Sequence, residues 1–112
     1  MIVDGCHNKP SFEIIIDEIN QHKFSKVFFV IGGTKEKNWN EICKILPNNF
    51  FYVVTKPNND RAYSLTKFKK HFDSNNLKYV SFNSLDKSLE YCKLNYSRNN
   101  LIFIGGSLFM AS

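Results

Sequence analysis

None of the three cysteines, Cys6, Cys43 and Cys92, falls in a C-x-x-C pair or a Cys/His cluster with zinc spacing. An odd, widely spaced set argues against a disulfide framework or metal site and reads as reduced thiols in a cytoplasmic protein. Arginine is scarce as well: Arg61 and Arg98 are two of fifteen basic residues. Nucleic-acid sites favour arginine and gather charge on one face, whereas these lysines are scattered. The net charge of +5 therefore fits the AT-rich codons shared by Lys, Asn, Ile and Phe, and no nucleic-acid partner is expected. No apolar run approaches the roughly 18 residues of a membrane span, and no basic-plus-apolar leader opens the chain. Neither a membrane association nor secretion is expected. A phosphate loop of the G-x-x-x-x-G-K-[ST] kind is missing, and no Ser/His/Asp or Cys/His catalytic set is suggested by spacing.

What is present is apolar and aromatic. Hydrophobic residues make up 43% of the 112, with eleven Phe and five Tyr, enough for one packed domain spanning residues 1–112. Met1–Asp4 is a short apolar lead. From Ser11 to His22, Phe12, Ile15, Ile16 and Ile19 make one helical stripe, with Asn8 as cap and Pro10 in the first turn. Val27–Ile31 is an unbroken apolar run, the pattern of a strand covered on both faces, and Gly32-Gly33 stops it. Asn38 and Glu41 open a helix carrying Trp39, Ile42, Cys43 and Leu46, which ends at Pro47. Phe50–Thr55 is a strand, Pro57–Asp60 a loop, and about Tyr63 to Asp73 a helix with Leu65, Phe68 and Phe72. Lys78–Phe82 is a strand, Ser84 caps a helix bearing Leu85, Leu89, Cys92 and Tyr96, and Leu101–Ile104 is a last strand. Strict alternation of this kind predicts an α/β, three-layer, doubly wound and mostly parallel sheet of about five strands, Rossmann-like, with helices on both faces.

Ligands in such folds bind beyond the carboxyl ends of strands, which directs attention to the residues following each one. After the first come Asp4-Gly5-Cys6-His7-Asn8: an acid, a flexible residue, an imidazole and an amide at a helix N-terminus, where an anion is favoured. The same residues also read as a plain turn in which Asp4 and Asn8 cap the helix. After the last come Gly105-Gly106-Ser107, either a hydroxyl donor on a flexible turn or glycines chosen for close packing. Gly32–Asn38, with Lys35 and Lys37, reads as a solvated loop. Arg61 can clamp an anion or lie on the surface. His22 and His71 are expected to face solvent, and Cys43 and Cys92 to be small core residues.

Taken together, these residues resemble the C-terminal domain of the folylpolyglutamate synthase / dihydrofolate synthase family of the Mur ligase superfamily, nearly end to end. Asp4–Asn8 is similar to its D-G-A-H-N turn. Ile31-Gly32 with Glu36-Lys37-Asn38 is similar to its F-G…D-K-D segment. Thr55 with Pro57 and Arg61-Ala62 is similar to T-x-P…R-A, and Leu101–Phe109 to its closing I-L-V-T-G-S-L-Y. Departures are Glu36 and Asn38 in place of two aspartates, Gly105 for a threonine, and Lys9 at the place of a frequent proline. The resemblance implies an ATP-dependent carboxylate–amine ligase: a carboxylate of a dihydropteroate or folate acceptor is phosphorylated to an acyl phosphate, which the amino group of L-glutamate attacks. It implies His7 and Ser107 at the glutamate and transferred phosphate as catalytic residues. Asp4, Gly5 and Asn8 fall toward the nucleotide, and Lys37 and Arg61 toward substrate, with no metal ligand in this chain. Mg-ATP belongs mainly to an N-terminal P-loop domain that these 112 residues do not contain, so the chain alone is expected to be inactive. Alternatives are a domain of another Mur-type amino-acid ligase, as in cell-wall peptide synthesis, and a stand-alone, non-catalytic binding module.

Overall fold

The computed structural model describes residues 2–5, 8–58 and 60–106. Five strands, β1 (Ile2–Gly5), β2 (Lys26–Gly32), β3 (Phe51–Thr55), β4 (Tyr79–Phe82) and β5 (Asn100–Gly106), alternate with four helices, α1 (Lys9–Gln21), α2 (Trp39–Ile45), α3 (Leu65–Ser74) and α4 (Leu85–Asn95). The strands form one sheet in the order β1-β5-β2-β3-β4, and every neighbouring pair is parallel.

Local chemistry sets the helix starts. Asn8 caps α1: its Oδ1 accepts the backbone N–H of Ser11 at 3.0 Å, and Ser11 Oγ accepts the N–H of Asn8 at 3.1 Å, a reciprocal box. Asn38, Ser64 and Ser84 cap α2, α3 and α4 by accepting from Glu41, Lys67 and Lys87, each worth about 1 kcal/mol. Asn76 and Asn99 carry positive φ, and Asn99 also ties the turn before β2 to the turn before β5 through Lys23 O and Ser25 Oγ.

The period-2 geometry of β2 splits the core in two. Phe29 and Ile31 meet α1, α2 and α3 through Phe12, Ile16, Trp39, Ile42, Phe68 and Phe72. Phe28 and Val30 join Val53, Ile102 and Ile104 under α4, which contributes Cys92, Leu85 and Leu89. Three helices thus cover one face and one covers the other, the doubly wound arrangement that the alternation predicts. No helix among the described residues is long and apolar enough to cross a membrane.

Several boundaries differ from expectation, each for a physical reason. Gly105 and Gly106 are not a turn after β5 but its last two residues, because β2 continues beside them to Gly32. Asp4 and Gly5 likewise belong to β1, held by pairing with Ile104 and Gly105. Tyr63 precedes α3, since the Ser64 cap starts the helix a residue later. Tyr96 is the exposed C-cap of α4, not part of its buried stripe.

Phe29 lies at the centre, its ring 5.0 Å from Phe103, 5.6 Å from Tyr52, 5.7 Å from Phe50 and 6.1 Å from Phe12. Phe29→Ala removes contacts to four aromatic rings on α1, β5 and β3 with its flank and is expected to lower stability by about 3–5 kcal/mol, read as a fall in the urea midpoint. A loss within about 1 kcal/mol would show that the packing around Phe29 relaxes.

Candidate functional site at the carboxyl edge

All five glycines of the chain end up at the carboxyl ends of three adjacent strands: Gly5 on β1, Gly105 and Gly106 on β5, Gly32 and Gly33 at the end of β2. Gly5 pairs with Gly105, Ile31 with Gly105 and Gly32 with Gly106. α1 leaves β1 across one face while α4 delivers β5 across the other, so the winding reverses here. This is the position at which doubly wound sheets bind ligands. The close approach is extreme at Gly106, which has φ +93°; a Cβ there would lie 1.8 Å from the Gly32 carbonyl oxygen. The glycine is thus demanded by strand-against-strand packing and backbone sign, the bland reading of Gly105-Gly106.

The sequence candidates distribute unevenly around this edge. Asp4 and Gly5 lie in β1, whose backbone positions them beside Ile104 and Gly105. The Oδ1 of Asn8 is engaged in capping α1. His7 and Ser107 lie outside the described residues, as does Cys6. The loops that carry Lys37 and Arg61 are joined by a feature that sequence spacing did not reveal: the segments after β2 and β3 are stitched to one another. Thr34 and Ala62 form an antiparallel bridge, the Lys35 N–H donates to Arg61 O at 2.8 Å, and the Tyr63 N–H donates to Gly33 O at 2.9 Å. Gly32–Asn38 is therefore no solvated loop at its start; Gly32, Gly33 and Thr34 are buried, while Lys35 and Glu36 are exposed and Lys37 half-buried.

This clasp is anchored from both neighbouring helices. Buried Trp39 at the start of α2 donates its indole N–H to Thr34 O at 2.8 Å. On the α3 side, Tyr63 Oη and His71 Nε2 are 2.8 Å apart, with rings stacked at 17°. His71 is thus half-buried and bonded rather than solvent-facing, and burial lowers its pKa from the usual 6.5. Arg61 Nε pairs with Glu36 Oε1 at 2.9 Å, both side chains largely exposed. The hydrogen bond from the Thr34 side chain, then the backbone amide of Glu36 itself and then the Arg61 and Lys35 charges, hold the Glu36 carboxyl below its usual value.

Three buried groups define what the edge does not use. Cys43 and Cys92 are fully enclosed, with thiols pushed by burial to about 12 and about 11, which leaves them inert at neutral pH. Thr55, the last residue of β3, is buried, and its Oγ1 finds no hydrogen-bond partner among the described residues. A threonine ending an otherwise apolar strand was the signal for it.

The donor set among the described residues makes no metal site; no three His, Cys, Asp or Glu side chains gather to hold an ion.

A buried hydroxyl without a partner costs about 1–3 kcal/mol, so the isosteric Thr55→Val is expected to raise the urea midpoint; a drop would reveal a hydrogen bond to the hydroxyl. Gly106→Ala is expected to destabilise by at least about 1–3 kcal/mol from backbone strain alone, with collision against Gly32 in addition. An unchanged melting temperature would show that the two strand ends separate freely.

No family model and no curated protein sequence matches the chain. Solved structures do match. Superposition on E. coli FolC in complex with DHPP and ADP gives a TM-score of 0.78 at 16% identity, over 91% of this chain and 24% of that one. Mycobacterium tuberculosis folylpolyglutamate synthase complexed with ADP and AMPPCP gives 0.76 at 16% identity, over 91% and 26%. A bifunctional folylpolyglutamate synthase/dihydrofolate synthase with Mn, AMPPNP and L-glutamate bound gives 0.78 at 14% identity, over 91% and 24%. The chain thus spans about a quarter of the length of these proteins, and over that quarter it has the fold found in FolC and folylpolyglutamate synthase.

Proposed function

We propose that this chain is the glutamate-contacting, C-terminal-type domain of an ATP-dependent ligase that adds L-glutamate to a dihydropteroate or folate acceptor. The observation that carries the reading is the Gly5–Gly105 pair. Parallel pairing sets the ends of β1 and β5 side by side, so Asp4-Gly5 and Gly105-Gly106, with which two segments similar to the family's motifs begin or continue, lie on adjacent strands although they are far apart in sequence. The fold likeness to proteins solved with DHPP, ADP and L-glutamate supports the same reading.

In this reading the chain supplies positioning and charge stabilisation. The cationic clasp, with Lys37 and Arg61, receives the carboxylates of the amino acid, a task suited to a guanidinium that forms paired bonds with a carboxylate. Its Glu36 partner keeps Arg61 oriented until a substrate carboxylate competes for it. His7 and Ser107 donate hydrogen bonds to the oxygens on which negative charge develops as the amine attacks the activated carboxyl group. Asp4, Gly5 and Asn8 are assigned to the nucleotide. Mg-ATP is held by a separate P-loop domain, and the chain turns over only in its company, in the cytoplasm.

The test is ADP release from the chain joined to a P-loop domain of this ligase class, with Mg-ATP, L-glutamate and either dihydropteroate or a reduced folate. Turnover is expected to need both glutamate and a pterin, and to fall about 10²–10³-fold in His7→Ala. Loss of less than about threefold would remove His7 from the charge-stabilising role; turnover with nucleotide-linked peptide acceptors instead of pterins would move the domain to the cell-wall branch.

A further inference from the structure

The clasp that carries Lys37 and Arg61 has a fastening that the reaction does not require. Its backbone bonds, Lys35 N–H to Arg61 O and Tyr63 N–H to Gly33 O, join two loops. Beyond the chain connection through the Ser64 cap, the clasp is fastened to α3 by the side-chain bond between Tyr63 and His71. Tyr63 is wedged by Trp39, with centroids 6.2 Å apart, and by Phe68, at 5.4 Å, so its ring has little room to move independently of the clasp. Arg61 lies two residues before Tyr63, and Ala62 between them is bridged to Thr34. A displacement of Tyr63 is therefore passed to Arg61 through one short, doubly bonded segment, and to Lys37 through Thr34, whose carbonyl accepts from the Lys37 N–H and the Trp39 indole.

We infer that Tyr63 and His71 are positioning residues which, through this clasp, set the pose of Arg61 and Lys37 in a proton-dependent way. The inference rests on the functional reading above only in taking those two cations as the carboxylate-binding groups. In the tautomer that carries its proton on Nδ1, neutral His71 accepts the Tyr63 hydroxyl at Nε2; in the imidazolium both ring nitrogens are donors, and that bond must be remade with the tyrosine turned to accept. The surroundings favour the neutral form. Burial lowers the pKa of His71 and raises that of Tyr63, with the buried Cys43 thiol of α2 adding to the latter. On α3 itself Lys67 and Lys70 precede His71 within one helical turn, and the side chain of Asn75 donates to the His71 backbone carbonyl. With the folded-state pKa depressed, the contribution of the pair is fully present above the ordinary histidine value and is lost as pH falls through the depressed one.

The experiment is a pH titration of the 112-residue chain by heteronuclear NMR, following the His71 ring, the Lys35 and Tyr63 amides and the Arg61 Nε–Hε. In the unmodified chain the amides and the Arg61 signal are expected to shift with the midpoint of His71, below 6.5. In Tyr63→Phe, His71 still titrates but the Lys35 and Arg61 signals no longer follow it. In His71→Gln, where an acceptor persists without a titrating group, they keep their high-pH positions throughout. The inference is overturned if the Lys35 and Arg61 signals do not follow His71 in the unmodified chain, or follow the same pH curve in either variant. None of these readings depends on turnover, so a failure of the ligase reading leaves the outcome for the clasp intact and separately legible.

Discussion

In a parallel sheet each strand must be carried back by a crossover before it can pair, and here the last strand goes into a slot left between the first two. β5 bonds to β1 on one side and to β2 on the other, so it joins the segment 2–5 to the rest of the sheet and brings the ends of β1 and β2 to either side of one backbone. The contact that permits this is the approach of Gly106 to the Gly32 carbonyl, at a φ that L side chains rarely adopt. The glycine-lined edge, the reversal of winding and the adjacency of the two candidate motifs all follow from that insertion.

The second organising feature is aromatic. Phe12, Phe29, Phe50, Tyr52, Phe68, Phe72, Phe103 and Trp39 share the face beneath α1, α2 and α3. Most of their rings meet edge-to-face or tilted, while Phe29 is stacked on Phe12 and Phe50 at centroid separations that leave the rings offset, all arrangements that ring quadrupoles favour. Such a core fixes the helices at their carboxyl-edge ends, because Trp39 and Tyr63 belong at once to the packed layer and to the loops above it. Burial energy is thereby coupled to loop geometry: the indole N–H that must find a partner inside the protein finds it in the Thr34 carbonyl. Rigid support under cationic side chains is what a site needs if it is to orient a carboxylate rather than merely attract one.

Much of the fold was readable from residue order. VFFVI and LIFI announce strands covered on both faces, and Asn8, Asn38 and Ser84 cap the helices assigned to them. Cys43 and Cys92 are buried as their stripes require. The errors are at places where a long-range partner overrides a local signal. Gly105-Gly106 has the look of a turn, yet a strand runs alongside it. Gly32–Thr34 has the look of a loop, yet a second loop, brought near by β3, completes its hydrogen bonds. His71 has charged neighbours in sequence, yet the ring of Tyr63 covers it.

By itself the sequence determined the elements, their alternation and the residues with chemistry at strand ends, because these depend on periodicities of 2 and 3.6 and on caps that act within four residues. Tertiary structure alone decided which strand ends are neighbours, that Arg61 and Lys37 share a clasp, that the Thr55 hydroxyl ends up buried and that His71 is bonded to Tyr63. Those outcomes hinge on where β5 enters the sheet and on which loops β2 and β3 bring face to face, and no local pattern encodes a pairing between residues so far apart along the chain.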